Sequence, residues 1–118
     1  MTTSSDLEAG RTAGFNDLIA PHWDVLVRVA GRLAPPGSRD DVLQDALTLA
    51  WRRRASYDPG RGSVRAWLLV ITADQARRRW RRRRVWHPVG DRRLVWDWLG
   101  SNLTDGEGYG QFPTVTVY

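Results

Sequence analysis

The sequence predicts an all-α fold: a small bundle of three to four helices with a flexible C-terminal tail. Two observations carry this expectation. Apolar residues recur at helical spacing in three segments, and breakers containing proline or glycine bound each one. The chain also has 118 residues and no cysteine, which is room for one domain held by a hydrophobic core, without disulfides or a thiolate metal site. With 42% hydrophobic residues and seven tryptophans, it can fill such a core.

Residues 1–13 are polar and are expected to be disordered. The helical domain is expected over 14–87. Its first apolar stripe comprises Phe15, Leu18, Ile19, Trp23, Leu26, Val29 or Ala30, and Leu33. Pro21 lies inside this stripe and predicts a kink or a restart. APPG (34–37) ends the segment. Ser38 then reads as an N-cap, with Asp41 as its capping-box partner. The second helix should run to about Arg54, burying Val42, Leu43, Ala46, Leu47, Ala50 and Trp51. ASYDPGRG (55–62) reads as a loop. A third helix opens at Gly62 or Ser63, buries Val64, Trp67, Leu68 and Ile71, and continues through Ala76 into a run of arginines, stopping before Pro88. Trp51 and Trp67 both sit on apolar stripes and are expected to face each other.

Residues 88–118 read as a divergent acidic and aromatic tail. It carries Trp96, Trp98 and Leu99, then DGEGYGQFP, then TVTVY, which alternates like a strand with nothing near it to pair with. Residues 101–118 are expected to be disordered or loosely docked.

The net charge of +5 hides a strong asymmetry. Residues 1–51 hold four arginines against seven acids, 52–93 hold fourteen arginines against three, and 94–118 hold three acids and no arginine. There is no lysine. The densest stretch is RRRWRRRR (77–84). One basic block between acidic flanks argues for a polyanionic partner met by one face. Arg77, Arg78, Arg81 and Arg82 fall on neighbouring turns of the third helix and could contact successive phosphates. Trp80 falls on the side shared by Leu69, Ala73 and Ala76. It reads as an anchor for the charged helix end, the alternative being a base-stacking platform.

Several function classes find no support. The sequence offers no nucleophile–base–orienter set and no phosphate loop, so an enzyme is not expected. His22 and His87 have no companion ligands, so neither a metal nor a cofactor is expected. GRGS (60–63) precedes a helix and could receive an anion. The polar start is unlike a signal peptide, and no apolar run approaches the ~20 residues of a membrane span. A cytoplasmic protein with no membrane partner is expected.

Two motifs identify a resemblance. FNDLIAPHWDVLVRVAGRL (15–33) leads into DVLQD (41–45), and after a loop comes RGSVRAWLLVITAD (61–74). Together they resemble region 2 of a bacterial RNA polymerase sigma factor of the sigma-70 family, extracytoplasmic-function (ECF) type. The resemblance covers about residues 15–84 and implies an all-helical domain that docks on the clamp helices of the polymerase β′ subunit and recognises the −10 promoter element as melted DNA. It implies polymerase-binding roles for Asp41, Gln44 and Asp45. Thr48 and Arg52 share their strip, ~100° wide on the second helix. It implies DNA-binding roles for Tyr57, Arg61 and Ser63 in the loop, and for Arg65, Asp74, Arg77, Arg78 and Arg81 on or near the third helix; Arg82 joins them by its place on that helix. Tyr57 reads equally as a hydrophobic plug or a stacking platform.

Two departures qualify the resemblance. Asp74 stands where the family usually has asparagine, and Thr72 where it has alanine. An ionised carboxylate only accepts hydrogen bonds and repels phosphate. No pattern of region 4, the helix-turn-helix that reads the −35 element, follows Arg84. A separate region 4 subunit and an anti-sigma factor are therefore further partners the resemblance allows. The alternative is a region 2-like protein that binds nucleic acid, or sequesters polymerase or an anti-sigma factor, without initiating transcription.

Overall fold

Pro21 interrupts the first helical segment where the sequence places the break. The computed structural model describes residues 14–84 and 86–102. Residues 14–19 form a short helix, α1. Proline cannot donate the next backbone hydrogen bond, and the chain tightens into a 3₁₀ turn at Ala20–His22. Helix α2 then runs Trp23–Leu33. It stops at Ala34, whose extended backbone (φ −74°, ψ 150°) suits the residue before Pro35. Gly37 turns the chain at φ +79°, a conformation that glycine adopts without strain.

Helix α3 is Arg39–Arg52 and helix α4 is Val64–Arg82. Asp40 and Asp41 occupy the first turn of α3, where the helix dipole favours acids. Ser38 precedes α3, but its side chain makes no capping bond. The expected capping box is thus replaced by a tertiary contact: Arg83 donates to the Ser38 hydroxyl at 3.2 Å and to the Pro36 carbonyl at 2.8 Å. Ser63 does cap α4, accepting from the Ala66 N–H at 3.1 Å.

Helix α4 is the centre of the bundle. Leu26, Val29, Ala30 and Leu33 of α2 and Val42, Leu43, Ala46 and Ala50 of α3 share one core with Leu68, Leu69, Ile71, Ala73 and Ala76 of α4. The same core includes Val89, Val95, Trp98 and Leu99. These last four belong to a 3₁₀ turn at Pro88–Gly90 and to helix α5, Arg92–Asn102. The segment read as a tail from residue 88 is therefore part of the domain through residue 102. Asp91 starts α5 by accepting from the N–H groups of Arg93 (2.9 Å) and Leu94 (3.3 Å). Val95, Trp98 and Leu99 then fall three and four residues apart, on one buried face.

Being covered by α5 as well as by α2 and α3 explains why α4 buries the polar residues Thr72, Gln75 and Arg77. The Thr72 hydroxyl donates to the Leu68 carbonyl at 2.8 Å, so its burial leaves no bond unmade. The expected disorder of 1–13 and the strand-like TVTVY lie outside the described residues. No helix among the described residues is long and apolar enough to cross a membrane.

Candidate functional site

The acidic strip predicted on α3 faces solvent. Gln44, Thr48 and Arg52 are exposed, and the side chains of Asp41 and Asp45 are 61% and 42% exposed. The Thr48 hydroxyl donates to the Gln44 carbonyl at 2.9 Å, within the helix. One residue that the sequence reading did not assign completes this surface. Arg79 reaches across from α4, donating to Asp45 at 2.7 Å and lying 3.8 Å from Asp41. The hydrogen bond that it donates to Asp45 holds the Arg79 guanidinium above its ordinary pKa. Each carboxylate can accept about four hydrogen bonds, so Arg79 leaves acceptor capacity on both aspartates.

The loop before α4 is closed by its own side chains. The Tyr57 hydroxyl donates to the Gly62 carbonyl at 3.0 Å, and its ring lies 5.3 Å from that of Trp67 at a 46° tilt. Asp58 accepts from the Gly60 N–H at 2.9 Å. Its other oxygen lies 3.9 Å from exposed Arg61. Ser63 is spent on its cap. Arg65 donates to His22 Nδ1 at 3.3 Å. Burial first, and then the charge of Arg65, holds the His22 imidazole below its usual pKa. The expected pairing of Trp51 with Trp67 is replaced by two other contacts. Trp51 packs edge-on against Phe15 at 5.3 Å and under the Arg54 guanidinium at 3.7 Å, while Trp67 takes Tyr57.

The arginine run divides by helix face. Arg78, Arg81, Arg82 and Arg84 are exposed and make no salt bridge among the described residues. Arg79 and Arg83 tie α4 to α3 and to the α2–α3 turn. Arg77, expected at DNA, is instead only 9% exposed. It donates to the Val89 carbonyl at 2.7 Å and pairs with Asp74. The 3₁₀ turn and α5 cover this side of α4, so the guanidinium is used internally. Burial lowers its pKa, and Asp74 opposes that shift. Asp74, the residue in place of asparagine, is engaged in the same pair. Trp80 is an anchor: Nε1 donates to the Leu33 carbonyl at 2.8 Å, and the indole stacks on His87 at 3.9 Å and 9°.

The surface therefore presents an acidic and amide strip on α3 and unpaired guanidinium groups along the end of α4. The first suits a basic protein surface, the second a polyanion. Comparison with curated proteins and with solved structures finds no match. The family model for Sigma-70 region 2 matches residues 18–85, more than half of the chain, from the end of α1 to just past α4. The chain belongs to the sigma-70 family through its region 2 domain.

Proposed function

We propose that this chain acts in transcription initiation as an ECF-type region 2 module, working in the cytoplasm. Asp41, Gln44 and Asp45, with Thr48 and Arg52 beside them, dock on the β′ clamp helices of core RNA polymerase. Arg78, Arg81 and Arg82, with Arg61 and Tyr57 in the loop, face the −10 strand of the promoter. The supporting observation is the coexistence of two outward surfaces of opposite character: carboxylates 42% and 61% exposed on α3, and arginines without a carboxylate partner on α4. The proposal assigns no catalytic step to the chain. A region 4-bearing subunit and an anti-sigma factor belong to it as partners. Run-off transcription with core polymerase tests it: added protein should produce a transcript from a promoter with a matching −10 element, and no transcript at any promoter contradicts it.

A second reading is favoured by the Asp74–Arg77 pair, which buries Arg77 of the expected DNA face and occupies Asp74. In that reading the chain occupies polymerase or an anti-sigma factor without opening DNA. It predicts full polymerase binding with no transcript in the same assay.

A further inference from the structure

Past residue 85 the chain adds a feature that the matched domain does not contain. The turn at Pro88–Gly90 and the start of α5 close against the end of α4 and leave an open cleft of about 280 Å³. It is lined by Arg77, Trp80, Arg81, Trp86, His87 and Arg92. Three guanidinium groups converge here, since the charges of Arg92 and Arg81 both depress the pKa of Arg77. Among the described residues, Asp74 is the one carboxylate paired with any of the three. The cleft thus carries positive charge that its own side chains leave uncompensated. Within this lining Trp86 is 60% exposed, and Trp80 and His87 are stacked on each other.

An open aromatic face beside unpaired cations matches the two halves of a nucleotide, a base to stack and a phosphate to neutralise. A duplex keeps its base faces covered and could not use Trp86. An acidic peptide would meet the arginines but offer that indole nothing planar. Arg78, Arg82 and Arg84 continue the exposed positive charge along and just past the end of α4, which suits a strand more than a lone nucleotide. We propose that this cleft seats one nucleotide of a single-stranded nucleic acid, its base stacked on Trp86 and its phosphate held by Arg81 and Arg92. The proposal rests on the reading of α4 as the nucleic-acid-facing helix and adds a site beyond the matched region.

The test uses the full chain and a fluorescein-labelled oligothymidylate of about 12 nucleotides, within the range of single-strand site sizes, beside a duplex of equal length. Trp86→Ala should weaken single-strand binding by about 5- to 150-fold, the range for one stacked base, and leave duplex affinity unchanged. Trp86→Phe should restore most of the loss. Arg92→Gln should lower the single-strand salt slope by about 0.7. The cleft proposal is overturned if Trp86→Ala leaves single-strand affinity intact, or weakens both forms alike. It is also overturned if polyglutamate displaces the strand and itself depends on Trp86. An Arg78→Ala/Arg82→Ala variant separates the two claims. If it weakens both forms while Trp86→Ala changes nothing, only the cleft proposal fails. If it changes neither, the reading of α4 fails and the cleft proposal falls with it.

Discussion

Arg79 of α4 and Asp45 of α3 form a hydrogen-bonded ion pair at 2.7 Å, linking the basic run to the acidic strip. Both side chains remain partly open to water, so their attraction is screened. A double-mutant cycle of Arg79→Ala and Asp45→Ala, read by urea unfolding, should give a coupling of about 0.2–1 kcal/mol. A coupling of several kcal/mol would mean that the pair is structural and that Asp45 is not available to a partner.

Helix α5 is integral to the domain. Trp98 and Leu99 are buried in the shared core, and truncating either leaves a cavity there. Trp98→Ala should cost about 3–5 kcal/mol and Leu99→Ala about 2–5 kcal/mol. Exposed Trp96 is the control, and Trp96→Ala should fall within about 0.5 kcal/mol of the parent. Equal, small losses at all three positions would show α5 undocked in solution.

Trp80 serves by packing and by one hydrogen bond. Trp80→Phe keeps an aromatic face for His87 but strands the Leu33 carbonyl, at a cost of about 1–3 kcal/mol. Trp80→Ala should cost about 3–5 kcal/mol. Were Trp80 a base-stacking platform, Trp80→Ala would weaken single-strand binding with little change in thermal midpoint.

Much of this arrangement was legible in the sequence. The stripes from Phe15, Val42 and Val64, with breakers at Pro21, at 34–37 and at 55–62, specified helices that the structure places within a few residues. The glycine-rich stretch that follows Asn102 hides helix α5 in the sequence. Its start signal was present: Asp91 stands before Val95, Trp98 and Leu99 at helical spacing. In a run of seven arginines nothing local separates Arg77 from Arg78, and only the covering helix decides which of them turns inward. The role of Ser38 is hidden for a related reason, since its partner Arg83 lies 45 residues away. Trp67 lies on a face packed against the core, whereas Trp51 sits half-buried between Phe15 and Arg54 outside it, and helical periodicity does not name the neighbour.

His87 and His22 make stability depend on pH. Burial is the leading cause that holds both imidazoles below their usual pKa of 6.5. Above that value folded and unfolded chains are both neutral at these sites. As the pH falls through 6.5, the unfolded chain takes up protons first, and stability declines until the lower folded values are passed. The thermal midpoint should therefore fall between about pH 7.5 and pH 5.5. His87→Asn keeps an acceptor near the Val89 N–H, which His87 Nδ1 holds at 3.1 Å, and should flatten part of that slope. A parent midpoint that is constant over this window would rule out the burial of both rings.

The claim on which the functional account turns is that the α3 strip, separately from the arginines of α4, carries the contact with polymerase. Affinity for core RNA polymerase should fall at least about tenfold, or 1.4 kcal/mol, in an Asp41→Ala/Gln44→Ala/Asp45→Ala variant whose fold and single-strand binding are unchanged. A triple variant that binds core polymerase as tightly as the parent would contradict the account.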